Sequence, residues 1–426
     1  MPTLLTAATL VEFEPASVEV GDLRIAQGKI VARGPKLTPE PTDEVIDLAG
    51  RIVMPGLVSA WHQLHAVAAR GLKPRGTGFL GARTALEAVE DELTLDDLTA
   101  FAAVGGLEGL LAGTTTLFDV HAAPKATLGS STAIAQGLNG VGLRAVVACE
   151  VSDRTGAIAR EEGLEETSIY CARARGRFRG AFALRRLDLL SDDALTGLVE
   201  ALAAVTGPRP LVLSPLAEDS REEKASIERF GKTPVERLLA RDLVGPGSVL
   251  SQNVHLSWPE LSQLISRGAW MVHCSRSNQS SQTGNAAPGK FGVRACVGSD
   301  VLSLDVLAEA QAATLRSLDA GQPIDILRFL ANGQRLASEA FGLQVGLLRE
   351  GAVADLVVSD YHPPTPLDAT TLAAHVLHGM NSHNVESVMV DGLWRLWQRK
   401  PLAIDVLEVT RVARDAATAL WKRLLA

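Results

Sequence analysis

The stretch PGLVSAWHQLH, residues 55–65, places two of the chain's nine histidines, His62 and His65, at the end of an apolar run. Imidazole is a common ligand of catalytic metals, so the pair could begin a metal site. Alternate side chains of a strand face the same way, and neither position 60 nor position 64 carries a second histidine to join His62. His65 lies beyond the expected end of the strand. The spacing therefore argues against a metal site built from these two side chains.

These histidines lie where the sequence pattern changes. Residues 3–54 alternate in short strands separated by turns, which is typical of a small β module. From about residue 55 to 340, seven or eight apolar strands alternate with segments of helical periodicity, among them TTTLFDV, LRAVVACEV, PLVLSP, SVLSQNV and AWMVHC. This alternation predicts an α/β fold with a parallel sheet closed into a (β/α)₈ barrel of the TIM type.

Strand signals return near the end of the chain, in VGLLREGAVADLVVSDYHPP and VESVMVDGLWRLWQRKPL. The simplest topology pairs these strands with those of the amino-terminal module. We therefore predict a composite β-sandwich from residues 1–54 and 345–405, a barrel from residues 55–344, and a carboxy-terminal helix over residues 406–426.

The composition limits the classes of partner. The formal charge of −8 is spread along 426 residues without a basic stripe, so the sequence predicts neither nucleic-acid nor anionic-membrane binding. The apolar runs are shorter than the roughly 20 residues that span a bilayer, and the amino terminus lacks the charged region of a secretion signal. We expect a cytoplasmic protein with a small-molecule ligand. The four cysteines are far apart and form no CxxC pair, which indicates free thiols.

Several separated stretches resemble the amidohydrolase superfamily, in its cytosine deaminase-like and triazine hydrolase-like branch, and most of all the SsnA-type aminohydrolases. They follow one another along nearly the whole chain: GDLRIAQGKIVARG, GRIVMPGLVSA, GTTTLFDVHAAP, EVSDRTG, VHCSRSNQSSQTGNAAP, GSD and GLLREGAVADLVVSDYHPPTP. Their order and spacing are more specific than any single stretch. The resemblance implies a metal-bearing (β/α)₈ barrel with a composite β-sandwich, in agreement with the periodicity.

The resemblance also implies a divalent metal that activates water. Aligned on this pattern, the two histidine positions of the first strand fall on Trp61 and Gln63, that of the fifth strand on Pro215, and that of the sixth on Gln252. None of these side chains is an imidazole, and the proline side chain has no donor atom. We therefore expect no metal cofactor, with a weakly bound hard cation on carboxylates as the remaining alternative.

Two carboxylates do match the family pattern. Glu218 in PLAE corresponds to its proton-shuttling glutamate, and Asp300 in VGSD to the aspartate at the end of the eighth strand. We predict both as catalytic residues, although Asp300 could instead cap the following segment and Glu218 could pair with a cation such as Arg185. Predicted pocket residues are Trp61, Gln63, His121, Arg185 and Gln252. Ser277 in RSNQSSQTG matches a polar position of a pocket loop, but serine also favours turns.

Three functions remain open. The loss of imidazoles leads to the hypothesis of a non-catalytic homologue that binds, regulates or scaffolds. The second hypothesis is an active hydrolase on a cyclic, purine-like C–N substrate that uses Glu218 and Asp300 without the usual metal centre. The third is a partner chain for an active paralogue. The habit of the relatives suggests a homodimer.

Overall fold

The computed structural model describes residues 1–73 and 76–425. Its strands form two sheets, one of eight strands and one of nine. The strands are β1 (Thr3–Phe13), β2 (Ala16–Ala26), β3 (Lys29–Gly34), β4 (Glu44–Asp47), β5 (Ile52–Pro55), β6 (Leu57–His62), β7 (Thr114–His121), β8 (Arg144–Val151), β9 (Phe178–Leu184), β10 (Leu211–Leu216), β11 (Ser248–Gln252), β12 (Trp270–His273), β13 (Ala295–Val297), β14 (Leu356–Ser359), β15 (Val385–Val390), β16 (Leu393–Trp397) and β17 (Lys400–Pro401).

The α-helices lie mainly between the strands of the eight-stranded sheet. They are α1 (Gly78–Glu90), α2 (Leu95–Leu111), α3 (Ser130–Val141), α4 (Ala157–Arg173), α5 (Asp192–Ala204), α6 (Ser220–Phe230), α7 (Pro234–Leu239), α8 (Trp258–Ser266), α9 (Ser275–Ser281), α10 (Val306–Asp319), α11 (Ile326–Phe341), α12 (Leu372–His378) and α13 (Val406–Leu425). Short 3₁₀ turns cover Leu64–Ala69, Pro288–Lys290, Gly292–Arg294 and Ser382–Asn384.

The eight-stranded sheet is a nearly closed parallel barrel. Strands β6 to β13 pair in chain order, and every pair along this path is parallel. All residues of β7 and β8 are buried, which explains their continuous apolar runs. The first and last strands meet through a parallel bridge between His62 and Asp300. The predicted (β/α)₈ fold class is confirmed.

Strands from both ends of the chain form the nine-stranded sheet. Its order is β17, β16, β15, β14, β5, β1, β2 and β3, with β4 beside β1. β1 and β2 form a long antiparallel hairpin, whereas β14 pairs antiparallel with β5 and so joins the carboxy-terminal strands to the amino-terminal ones. The barrel is therefore inserted between the two halves of one sheet.

A buried ion pair fixes this sheet to the barrel. Arg144 begins β8 and donates from its Nε to Asp355 Oδ2 at 3.0 Å, where Asp355 precedes β14. Arg144 also donates to Asp391 in the turn after β15. A buried guanidinium needs such partners because desolvation of an unpaired charge is costly.

Helix α13 packs back on the barrel. Trp421 donates from its Nε1 to the carbonyl oxygen of Ala68 at 2.8 Å, close to the carboxyl end of β6. Ala426, the last residue of the predicted carboxy-terminal helix, lies outside the described residues. Among the helices that the structure describes, none is long and apolar enough to cross a membrane.

Candidate active site

A cavity of about 280 Å³ opens at the carboxyl ends of the barrel strands. Most of its lining is apolar, and helix α1 and the loops after the strands contribute to it. The apolar lining residues are Trp61, Ala66, Ala69, Leu72, Phe79, Ala82, Ala85, Leu86, Pro215, Val301 and Leu302. Two carboxylates, Glu218 and Asp300, also line it. This place is where TIM-type barrels carry their chemistry.

The backbone of Asp300 closes the barrel beside the cavity. Its N–H donates to the carbonyl oxygen of Trp61 at 3.0 Å, and its carbonyl oxygen accepts from the N–H of Gln63 at 3.1 Å. Its φ of 51° lies in the left-handed region, which aspartate tolerates better than most residues. Asp300 is thereby fixed against the end of β6.

The Asp300 carboxylate accepts four side-chain hydrogen bonds. Oδ1 accepts from Trp61 Nε1 at 2.9 Å and from Gln63 Nε2 at 2.7 Å. Oδ2 accepts from Gln252 Nε2 at 3.0 Å and from Ser277 Oγ at 2.5 Å. A carboxylate offers about four lone-pair positions, so its acceptor capacity is filled. Four neutral dipoles, rather than a cation, compensate this buried charge.

Local backbone features bring these donors together. A Cβ on Gly298 would come within 2.7 Å of the Cβ of Trp61, so the absent side chain leaves room for the indole. Gln252 ends β11 with a φ of 70°, and Asn253 follows with a φ of 57°. Because non-glycine residues adopt this conformation only under constraint, the end of β11 is held in one defined geometry.

Glu218 is the second carboxylate of the cavity. It follows β10 after Ala217, and its side chain is 13% exposed. Burial is the main cause that raises the pKa of Glu218, the charges of Asp300 and Glu222 add to it, and those of Arg83 and Arg185 oppose it, so that the pKa is raised to about 8. The Arg83 Nη2 atom lies 3.5 Å from Glu218 Oε2. Glu218 is therefore mostly protonated at neutral pH and can donate a proton.

Of the four arginines that line the cavity, three form ion pairs that involve α1. Arg83 of α1 contacts Glu222 of α6. Arg185 donates from its Nη1 to Glu90 Oε1 at 2.6 Å. Burial opposes the charge of Arg185, but the nearby carboxylates of Glu90 and Glu150 raise its pKa overall.

The third arginine binds α1 at its outer side. Arg186 donates from Nη1 to Glu87 Oε1 at 2.7 Å, and its Nε donates to Asp188 at 3.0 Å. The three pairs hold α1 over the mouth of the barrel. Because each guanidinium faces a carboxylate, these arginines add little net charge to the cavity.

His62, at the end of β6, and His65, in the 3₁₀ turn that follows, are not among the residues that line the cavity. His62 Nδ1 is 3.1 Å from Ser299 Oγ, and burial lowers the pKa of His62 to about 4. His65 Nε2 is 3.0 Å from Glu90 Oε1. Trp61 and Gln63, on either side of His62, line the cavity as the alternation predicts.

The structure places His121, a predicted pocket residue, away from the cavity. The cavity lining does not include His121, which is fully buried at the end of β7. Its Nδ1 lies 3.2 Å from Asp119 Oδ2 and its Nε2 lies 2.9 Å from Ser130 Oγ. Burial opposes its charge, but the hydrogen bonds to Asp119 and Cys149 raise the pKa of His121 to about 10. Its ring is committed to the β7–α3 junction.

The side chains around Asp300 do not fit the divalent metal that the family resemblance implies. Trp61, Gln63, Gln252 and Ser277 all direct hydrogens at the carboxylate, and a cation there would face these hydrogens instead of lone pairs. Among residues 1–73 and 76–425, no group of three or more His, Cys, Asp or Glu side chains is arranged to hold a metal ion.

The structure thus brings together six of the seven residues predicted for the site. The cavity is lined by Trp61, Gln63, Arg185, Glu218, Gln252 and Asp300. Sequence reasoning missed Arg83 and Phe79, because α1 lies between the first strand and α2, outside the simple strand–helix alternation. It also expected Ser277 mainly as a turn residue, although the hydroxyl binds Asp300.

Comparison with known proteins gives a family match and full-length relatives. The amidohydrolase family profile matches residues 52–395. A 5-methylthioadenosine/S-adenosylhomocysteine deaminase of Halobacterium salinarum is 27% identical over 439 residues and covers 99% of each chain. A 5′-deoxyadenosine deaminase of Methanosarcina mazei is 26% identical over 429 residues and covers 96% of each.

Solved structures share the fold along the whole chain. A zinc-bound adenosine deaminase from Xanthomonas campestris superposes with a TM-score of 0.87 at 20% identity, covering 99% of this chain and 98% of that one. A zinc-complexed atrazine chlorohydrolase from Arthrobacter aurescens gives a TM-score of 0.84 at 17% identity, covering 97% and 100%.

These comparisons contradict the hypothesis of a non-catalytic binding, regulatory or scaffolding homologue. The relatives that align over nearly the whole chain are named as deaminases, and the similar solved structures include enzymes. The missing imidazoles were a poor basis for predicting loss of catalysis, because they show only that the usual metal ligands are absent. The hypothesis of an active hydrolase agrees better with these relatives.

We predict that Asp300→Asn destabilises the protein. The side-chain amide of asparagine has one acceptor oxygen where aspartate has two, and its nitrogen would face donors. At least one buried donor therefore loses its partner, at a cost of about 1–3 kcal/mol. Asparagine tolerates positive φ, so backbone strain does not contribute. Urea unfolding measures the change, with the exposed Asp319→Asn as control. A midpoint equal to that of the wild type would contradict the four-bond arrangement.

Proposed function

The chain belongs to the amidohydrolase family, and from this premise we propose that it is an active hydrolase that replaces the amino group of a purine-like ring by a carbonyl. The observation that carries the proposal is Glu218, a carboxyl with a pKa of about 8 in a mostly apolar cavity. A general acid is most effective when its pKa lies near the working pH. A surface glutamate would be ionised and could not supply this proton.

In the proposed reaction, Glu218 donates its proton to a ring nitrogen next to the carbon that bears the amino group. Water attacks that carbon, its oxygen forms the new C–O bond, and one water proton passes to the Glu218 carboxylate. Glu218 transfers this proton to the amino group, the C–N bond breaks, and ammonia leaves. The remaining hydroxyl proton returns to Glu218 as the ring carbonyl forms.

Asp300 supports this chemistry as a positioning residue. Its lone pairs already accept from four side chains, so it has no free position from which to deprotonate water. Its negative charge contributes to the raised pKa of Glu218. Asp300 therefore adds to the effect of burial in keeping Glu218 protonated, and it holds Gln63 and Gln252 at the cavity.

The cavity supports a small, uncharged ring as the substrate. Its volume of about 280 Å³ is slightly below the range of roughly 300–1,000 Å³ that is usual for drug-sized ligands. Its arginines face carboxylates, and most of its surface is apolar. The relatives named for 5′-deoxyadenosine and 5-methylthioadenosine support a purine as the ring.

We propose that this reaction proceeds without the metal centre of the zinc-bound relatives. A catalytic metal lowers the pKa of its water from 15.7 to about 7, whereas general acid–base catalysis by one carboxyl supplies about 10²–10⁴-fold. We therefore expect a slow enzyme. A cytoplasmic location, a homodimer or a pairing with an active paralogue, and a small-molecule ligand stay predictions from the sequence.

We predict that the wild-type protein releases ammonia from at least one amino-bearing ring compound and that Glu218→Gln lowers kcat/KM by about 10²–10⁴-fold, because glutamine cannot donate a proton in this way. The panel comprises 5′-deoxyadenosine, methylthioadenosine, S-adenosylhomocysteine, adenosine, cytosine and aminotriazines. Glu228→Gln, exposed on α6, is the matched control. A folded wild-type protein that releases no ammonia from the panel would overturn the proposal.

The pH dependence follows from the raised pKa of Glu218. Its carboxyl is mostly protonated below pH 8 in the free protein, so kcat/KM should be level well below this pH and fall about tenfold per pH unit above it. The residual rate of Glu218→Gln should lack this alkaline decline. A rate that rises through pH 8 would show that the carboxylate, and not the acid, is the active form.

We predict that activity is insensitive to chelators. Protein prepared with added zinc, iron and manganese should contain far less than one metal ion per chain by elemental analysis, and dialysis against a chelator should leave kcat unchanged. The zinc-bound adenosine deaminase from Xanthomonas campestris serves as the positive control for metal content. One tightly held metal per chain, or activity restored by zinc after chelation, would refute metal independence.

A further inference from the structure

We infer that Gln63 and Gln252 recognise the substrate's amino group through their amide oxygens. This recognition would make the site selective for an amino-bearing ring over its oxo or halogen counterpart. The inference rests on the proposed function, since it concerns the same cavity, and it adds the residues that decide which ring substituent is accepted. It is carried by the orientation of two amides and by two buried acceptors.

Asp300 determines which way each amide faces. An ionised carboxylate only accepts hydrogen bonds, so the atoms that contact it must be the amide nitrogens, as observed for Gln63 at 2.7 Å and Gln252 at 3.0 Å. Turning either amide over would set an oxygen against the carboxylate and cost the hydrogen bond as well as adding repulsion. Both amide oxygens therefore face away from Asp300.

These two oxygens lack a hydrogen-bond donor among the residues that the structure describes. Gln63 Oε1 and Gln252 Oε1 are buried and without a partner, and the residues themselves are 7% and 1% exposed. Buried polar atoms in native proteins are nearly always paired, so an orphaned acceptor calls for an explanation. Both residues line the cavity that also contains Glu218. A ligand that brings N–H donors would supply the missing partners.

Both amides are held in place before any ligand arrives. The backbone N–H of Gln63 donates to the carbonyl oxygen of Asp300 at 3.1 Å. Gln252 ends β11 in a left-handed conformation, with a φ of 70°. Constraint at both backbone and side chain leaves little freedom to present a donor instead of an acceptor. The pair is preorganised for one hydrogen-bonding pattern.

The pattern distinguishes substrate from product. An amino group carries two N–H donors, one for each amide oxygen. The product carbonyl and a chlorine substituent carry none, and a carbonyl oxygen would be repelled by two further oxygens. Sites built to hydrogen-bond a substrate group discriminate strongly against analogues that lack it. The same contacts that select the amine would weaken product binding and favour its release.

The test measures binding without turnover, in the Glu218→Gln protein. Dissociation constants are determined by calorimetry for 5′-deoxyadenosine, its 6-oxo counterpart 5′-deoxyinosine and its 6-chloro counterpart. We expect the amino compound to bind at least about tenfold more tightly than either of the others. Equal affinities for the amino and oxo compounds would overturn the inference.

Variants of the glutamines locate the source of the preference. Gln63→Met or Gln252→Met, each combined with Glu218→Gln, should reduce the amino-over-oxo ratio to about twofold or less, because methionine has similar length but no amide oxygen. Trp61→Phe in the same background is the matched control, since it also removes a donor to Asp300 but no cavity acceptor. The ratio should persist there. Loss of the ratio in all three variants, or in none, contradicts the assignment.

A further variant of Gln63 provides the test if the methionine variants fold poorly. Gln63→Asn shortens the side chain by one methylene group, keeps an amide, and should also lower the ratio. Failure of this inference is distinct from failure of the proposed function. If the wild-type protein turns over substrate but binding shows no preference for the amino compound, only the inference is contradicted. If there is neither turnover nor binding of any amino compound, the proposed function is contradicted.

Discussion

The buried carboxylate of Asp300 is the constraint on which the rest of the site depends. An uncompensated charge in this position would cost several kcal/mol, so the protein must supply either a cation or enough hydrogen-bond donors. Trp61, Gln63, Gln252 and Ser277 supply four donors from three separate parts of the barrel. The backbone of the same residue connects the last strand to the first. The side chain of Asp300 thus gathers the donors that compensate its charge, while its backbone closes the barrel.

This arrangement separates the behaviour of the two carboxyl groups. Asp300 is surrounded by donors, whereas Glu218 lies against apolar surface with one guanidinium 3.5 Å away. Burial is the main cause of the raised pKa of Glu218, and the charge of Asp300 adds to it. Two titratable groups whose environments differ in this way are the usual means by which an enzyme keeps one acid protonated beside a charged group. The proposed roles of Asp300 as positioning residue and Glu218 as proton donor rest on these surroundings.

The sequence predicts the frame of this site better than its contacts. Period-two alternation correctly placed Trp61 and Gln63 at the cavity and His62 on the other face, because strand geometry leaves little choice. The sequence analysis allowed a pairing between Glu218 and Arg185, but each has a different partner in the structure. Glu218 faces Arg83 and Arg185 binds Glu90, and both partners belong to α1. Helix α1 follows no strand–helix rule, so its position depends on tertiary contacts alone. The position of the His121 ring also depends on tertiary contacts, since Asp119 and Ser130 hold it at the junction of β7 and α3 instead of at the cavity.

The missing imidazoles misled functional reasoning because a metal performs two separable tasks. It compensates buried carboxylates, and it acidifies water. Neutral donors can take over the first task completely, as they do at Asp300, but dipoles that only donate to a carboxylate cannot make hydroxide from water. In the proposed reaction the electrophile is activated instead of the water: Glu218 protonates the ring, which water then attacks more readily than the neutral ring. Such a mechanism depends on the cavity staying mostly apolar around Glu218, because bulk solvent around this carboxyl would remove the effect of burial and lower its pKa. The ion pairs of Arg83, Arg185 and Arg186 hold α1 over the cavity, and in this way a helix without a catalytic group helps to preserve the acid.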